Sequence, residues 1–187
     1  MTDRIAYQGE PGANSHIACR EAYPELEPLA CASFEDAFAA VREGQARYAM
    51  IPVENSLAGR VADVHHLIPE SGLFIIAEHF APIKHQLLGL KGATLAGLRE
   101  VRSHPQALGQ CRKQLRALGI APVQAADTAG AAREVAALGD ARVGALASSL
   151  AAEIYGLATL RADVAAGDGG FPDSNERVAG RRPSPLE

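Results

Sequence analysis

The chain has 187 residues, 48% of them apolar and 21% charged, a composition that fits one globular domain or two small lobes. A net charge of −4 without runs of like charge, no Trp and only 5% aromatic residues argue against a nucleic-acid-binding face. The N-terminus lacks the apolar core of a signal peptide, and no stretch reaches the length of a membrane span, so no membrane partner is expected. Cys19, Cys31 and Cys111 are far apart, with no Cys-x-x-Cys, so reduced thiols in a cytoplasmic protein are expected, not disulfides or zinc.

In chain order, Ile5–Tyr7 predicts a strand running into the turn Gly9–Gly12. A helix follows over about Asn14–Ala22, capped by Asn14 or Ser15. Leu29–Ala32 is a short strand, and Ser33 with Asp36 forms a capping box ahead of Phe34, Ala37, Phe38 and Val41 at helical spacing. Tyr48–Val53 reads as a buried strand, Glu54–Gly59 as a loop, and Val61, Val64 and Leu67 as one helix face. Leu73–Glu78 and Ile83–Leu90 are further strands.

A second set of units starts near Leu95. Val101-Arg102 is a strand, Ser103 an N-cap with Pro105 in the first turn, and a helix runs through Leu108, Cys111 and Leu115 to Gly119. Pro122–Ala125 is a strand. Asp127-Thr128 caps a helix, Val143–Leu146 is a strand, and Ser148-Ser149 opens a helix closed by Tyr155-Gly156. Leu157–Leu160 is the last strand. From Ala165 onward glycines and prolines punctuate a polar segment without periodicity, which predicts loop or disorder over 165–187.

This alternation predicts an α/β protein of two lobes with a cleft between them, helix starts lying at the carboxyl ends of strands. The expected division is about 1–78 for the first lobe and 79–160 for the second, with a return to the first after 160. Polar groups gather at four strand-to-helix junctions: Asn14 and Ser15, Asn55-Ser56, Ser103 to Gln106 with Gln110, and Asp127-Thr128. Free N–H groups at helix starts suit a small anion; for any single junction capping is the better reading, and the four together make a ligand site competitive with it. Neither Gly-x-Gly-x-x-Gly, a P-loop nor Gly-x-Ser-x-Gly is present, and no histidine pair has metal spacing.

Five segments then occur together, in order: Tyr7–Ser15, Ile51–Gly59, Ser103–Cys111, Asp127–Ala129 and Tyr155–Leu157. Over roughly residues 4–164 the chain resembles prephenate dehydratases. The resemblance implies a two-lobed α/β fold of the type II periplasmic-binding-protein kind, with the active site in the cleft between the lobes. It implies conversion of prephenate, a small dianion, to phenylpyruvate in phenylalanine biosynthesis, with no cofactor, because restored aromaticity drives the loss of water and carbon dioxide. By the same resemblance Asn14, Asn55, Ser56, Ser103, Gln106, Gln110 and Thr128 would bind substrate oxygens, and a homo-oligomer is expected.

The family's Thr-Arg-Phe segment, whose threonine is assigned to departure of the hydroxyl, has no full counterpart. The nearest is Asn175-Glu176-Arg177-Val178, which makes Glu176 and Arg177 the candidate catalytic residues. A glutamate donates a proton only when burial keeps it protonated, and the approach Gly167–Gly170 argues against firm burial. Low turnover is therefore expected. Alternatives are a binding protein without catalysis, or dehydration of arogenate with Glu54 facing its amino group. No separate phenylalanine-sensing domain is expected within these 187 residues.

Overall fold

A computed structural model of the chain describes residues 3–56, 59–164 and 173–181. Its elements are β1 (Arg4–Gln8), α1 (Asn14–Ala22), β2 (Glu27–Cys31), α2 (Phe34–Arg42), β3 (Tyr48–Asn55), β4 (Gly59–Arg60), α3 (Ala62–Glu70) and β5 (Phe74–Pro82). There follow β6 (Gln86–Gly89), a 3-10 turn at Leu95–Gly97, β7 (Glu100–Ser103), α4 (Pro105–Gln110), α5 (Arg112–Leu118), β8 (Ala121–Gln124) and α6 (Thr128–Leu138). The last are β9 (Val143–Ala147), α7 (Ser149–Tyr155), β10 (Ala158–Arg161) and β11 (Asp173–Gly180).

Two compact units result. The first holds Met1–Glu10, Asn14–Pro82 and Pro172–Glu187, the second Pro11–Ala13 and Ile83–Phe171. The boundary expected at 78 moves to 82 because β5 is longer than its apolar start. Ala77, His79 and Ala81 are each more buried than their neighbours, so period-two alternation continues to Pro82.

The first unit's sheet runs β2-β1-β3-β11-β5, with the short β4 paired to β3. β1 is parallel to β2 and β3, whereas β11 lies antiparallel between β3 and β5. The expectation of an unstructured segment from 165 fails here, because residues 173–180 form an inner strand. Hydrophobic periodicity missed it since Glu176, Arg177 and Gly180 occupy positions that an inner strand ordinarily gives to apolar side chains. Residues 165–172 and 182–187, where disorder was also expected, lie outside the described residues. On one face of the sheet Ala6, Ala49, Ile51, Val53 and Ala179 pack under Phe38 and Val41 of α2 and Val64 of α3. The capping box that starts α2 is present: Ser33 Oγ accepts from the Asp36 N–H, and Asp36 Oδ2 accepts from the Ser33 N–H. On the other face Tyr7 stacks on His16 of α1, with ring centroids 5.1 Å apart.

The second unit's sheet runs β10-β6-β9-β7-β8, with β7, β8 and β9 parallel and β6 antiparallel to β9 and β10. Ala131, Ala132 and Val135 of α6 cover Ala145 and Ala147 on one face. Leu108, Cys111 and Leu115 cover Leu87, Val101 and Leu146 on the other. The single helix expected through Leu108 and Leu115 is two, divided at Cys111, whose φ of −93° and ψ of 3° leave the regular helical geometry.

Pro11–Ala13 belong to the second unit although they adjoin α1 in sequence. Ser148 Oγ caps α7 by accepting from the Ala151 N–H at 3.0 Å and donates to the Gly12 carbonyl at 2.5 Å. Tyr155 Oη donates to the Pro11 carbonyl at 2.9 Å. Gly12 sits at φ +94°, and a Cβ there would lie 2.7 Å from Ala151 Cα, so only glycine fits. Among the described residues no helix is long and apolar enough to cross a membrane.

Candidate active site

In the first unit the structure brings Ser15 and Glu176 together. Asn14 opens α1 half-buried, and Ser15, one residue into that helix, is buried. Ser15 Oγ donates to the Glu176 carboxylate, 3.3 and 3.2 Å from its two oxygens. Glu176 is only 1% exposed, against the expectation that the glycine-rich approach would leave it open. An inner strand buries its side chains on both faces whatever the composition of the loop before it. The start of α1 adds a positive helix end that favours a nearby carboxylate. Beside them the Cys19 thiol is held far above its ordinary pKa, first by burial and then by the Glu176 charge.

Arg177 takes the opposite face of β11, as strand alternation requires. It lies directly across from Glu78 of β5 and forms an ion pair with it. Its Nε is buried and has no hydrogen-bond partner among the described residues. Glu176 and Arg177 therefore do not act as one pair. Glu176 is instead directly opposite His79, which contacts Glu21 of α1 at 3.1 Å. Asn55 ends β3 half-buried, opposite Gly59, and Ser56 follows it exposed. Glu54, the residue weighed for an amino group, is exposed.

In the second unit Ser103 is fully buried, and its hydroxyl donates to the Leu146 carbonyl of β9 at 2.6 Å. That proton is committed to the sheet. The N-cap expected at Ser103 is His104, whose Nδ1 accepts from the Gln106 N–H at 3.3 Å. Gln106 is exposed in the first turn of α4. Gln110, half-buried at the end of α4, meets the buried His85, with Oε1 3.0 Å from its Nε2. Burial lowers the pKa of His85, and the bond to Gln110 pulls the other way. A neutral ring with Nε2 protonated donates to the amide oxygen. Thr128 is half-buried at the first position of α6, while the cap itself is Asp127, whose Oδ1 accepts from the Gly130 N–H at 2.6 Å.

Sequence reasoning did not single out His85 as the partner of Gln110, nor Ser15 as the partner of Glu176. His85 carries a faint signal, a polar residue between Ile83 and the apolar strand β6. Ser15 carries none, because its partner is 161 residues away. Among the described residues no three His, Cys, Asp or Glu side chains are placed to hold a metal.

Two α/β units, each with a mixed sheet covered by helices, define the periplasmic-binding-protein-like class. A nutrient-binding protein from Burkholderia cenocepacia, solved bound to methionine, shares that fold at a TM-score of 0.51 and 11% identity, covering 95% of this chain and 84% of its own. The chain belongs to the prephenate dehydratase family, whose sequence profile matches residues 5–169. Glu176 and Arg177 lie beyond that match. A bifunctional N-acyl-homoserine lactone acylase/prephenate dehydratase from Komagataeibacter europaeus is 48% identical over 182 residues, 97% of this chain and 64% of the relative. An arogenate dehydratase/prephenate dehydratase of Arabidopsis thaliana chloroplasts is 42% identical, covering 86% of this chain and 41% of its own. The Arthrobacter aurescens prephenate dehydratase solved in complex with L-Phe has a TM-score of 0.87 at 26% identity, covering 97% of this chain and 61% of that one. The chain thus spans between two fifths and two thirds of the length of these relatives.

Proposed function

We propose that the chain converts prephenate to phenylpyruvate, slowly, with Glu176 in the proton-donating place that the family gives to threonine. Family membership supports the reaction. The observation that carries the role of Glu176 is its burial in β11 with Ser15 of α1 as partner. In the reaction the bond from ring to carboxylate breaks and its electron pair enters the ring. The ring carbon–oxygen bond breaks and its pair leaves on the hydroxyl. The prephenate dianion and one proton thus give the phenylpyruvate anion, carbon dioxide and water. Glu176 supplies that proton to the departing oxygen when it carries one, and the Ser15 hydroxyl and the start of α1, which favour its carboxylate form, keep the step slow. Asn14, Asn55, Ser56, Gln106, Gln110 and Thr128 contribute N–H and O–H donors to substrate oxygens. Ser103 contributes by fixing the end of β7 against β9, and Arg177 by tying β11 to β5.

Free thiols at Cys19, Cys31 and Cys111 support a cytoplasmic setting. The exposed Phe74, Ile75, Ile76 and Phe80, all on β5, support a homo-oligomer, which light scattering on the purified chain tests. Arogenate is the second substrate, favoured by the names of several relatives. The test is phenylpyruvate and phenylalanine formation from the two compounds. Slow release from prephenate is expected, with a fall of about 10²–10⁴ in Glu176→Gln, the usual contribution of a general acid. Unchanged turnover in Glu176→Gln removes Glu176 from the chemistry. Saturable binding of phenylpyruvate with no turnover of either substrate makes the chain a binding protein.

A further inference from the structure

Within the second unit, α4, α5 and the edge strand β8 enclose a groove of about 650 Å³ that none of the residues above uses for substrate. That is the size of a small-molecule site, ordinarily about 300–1,000 Å³. Its lining includes the apolar Leu108, Leu115, Ile120 and Pro122, together with Arg112 and Arg116. The two arginines are four residues apart, so they stand one above the other on the same face of α5. Among the described residues neither side chain has a hydrogen-bonding or ionic partner, and both are exposed.

The local charge is unusual for this chain. From Val101 to Ala126 there is no Asp or Glu, whereas Arg102, Arg112, Lys113 and Arg116 all fall in that stretch of a protein with net charge −4. Two guanidinium groups over an apolar floor form a receptor for a molecule with one anionic end and one greasy end. An added peptide strand is a poor occupant, although β8 is an open edge. Pro122 removes one of the four backbone donors of Ala121–Gln124 and interrupts any ladder.

We propose that this groove binds an amphipathic organic monoanion, its aryl or branched-alkyl body on Leu108, Leu115 and Ile120 and its carboxylate bridged by Arg112 and Arg116. The proposal does not depend on the dehydratase reading, since its readout is binding alone. Calorimetry with 4-phenylbutyrate and its uncharged counterpart 4-phenyl-1-butanol tests it. The acid is expected to bind saturably, at least tenfold more tightly than the alcohol, and to lose at least tenfold in the double variant Arg112→Gln/Arg116→Gln. Gly109 supplies a second, independent probe. It lines the groove on a helix, and a Cβ there meets nothing within 4 Å. Gly109→Leu should fill the groove and abolish binding. Leucine is also the better helix former, so its melting temperature should not fall. No saturable binding of the acid, equal binding of acid and alcohol, or wild-type affinity in either variant overturns the proposal.

Discussion

The contact between Ser15 and Glu176 ties the first turn of α1 to the middle of β11, and its strength is measurable. Ser15→Ala deletes the hydroxyl and leaves the carboxylate with one donor fewer. Hydrogen bonds to charged groups contribute about 1.5–3 kcal/mol. Here one proton is shared between oxygens at 3.3 and 3.2 Å, longer than the usual O–H···O distance of about 2.7–2.8 Å. The loss should therefore fall near the lower bound, about 1.5 kcal/mol. For a chain of this length about 1 kcal/mol moves the melting temperature by roughly 2–4 °C, so a drop of about 3–6 °C is expected. Glu176→Gln keeps an acceptor of the same shape but makes it neutral. A cycle of Ser15→Ala, Glu176→Gln and the double variant, measured by urea unfolding, should show a coupling of about 1 kcal/mol. Additivity within about 0.3 kcal/mol would refute the reasoning, because independent sites behave that way.

Three further outcomes follow from the same structure. Gly12→Ala forces a side chain onto a left-handed backbone and into the main chain of Ala151. A left-handed residue costs about 1–2 kcal/mol and overpacking about 1–3, so thermal melts should show a loss of about 2–5 kcal/mol. His85 has its pKa lowered by burial, so the unfolded chain takes up the proton first as pH falls. Its contribution is complete above about pH 6.5 and is lost below it, and His85→Gln should melt with a shallower decline between roughly pH 6.5 and 5. The His16 ring, lowered chiefly by its own burial, is present in both proteins and leaves that difference intact. Burial pushes the Cys111 thiol up to about 12 and holds Cys19 higher still, whereas Cys31 is half-buried. Ellman's reagent at pH 8 should label at most Cys31 in the folded chain and all three thiols in urea. Rapid native labelling of Cys111 would contradict the packing between α5 and β7.

What could be read from the residues alone was whatever is encoded within a few positions. The capping box at Ser33 and Asp36 is such a case, since both partners lie in one turn and bond where the pattern says. So are the alternating strands and helices up to Leu160, apart from the division of one helix at Cys111 and the extension of β5 to Pro82. Long-range commitments were not legible. Ser103 carries the pattern of an N-cap, but a carbonyl on β9 takes its hydroxyl, and the neighbouring imidazole of His104 caps α4 instead. The glycine turn before Asn14 resembles a ligand cradle, yet Gly12 is glycine because Ala151 leaves no room for a Cβ. Residues 173–180 lack any periodic signal, because an inner strand flanked by β3 and β5 draws its burial from partners about a hundred residues away or more. Glu176 was named through its place in a family motif, and its burial became visible only in the fold.

The position of β11 inverts the order in which the units can be finished. The first unit begins at the N-terminus, but between β3 and β5 it has a gap that only residues 173–180 fill. Apart from Pro11–Ala13, the second unit is one continuous stretch, 83–171, with its strands and helices close in sequence. During synthesis the later unit is therefore complete first, and the earlier one waits with two unpaired strand edges. A nascent chain halted short of Asp173 therefore leaves the backbone N–H and C=O groups of β3 and β5 that face β11 without their ladder partners, the kind of open edge on which chains aggregate. Synthesis of β11 is the event that pairs both edges at once.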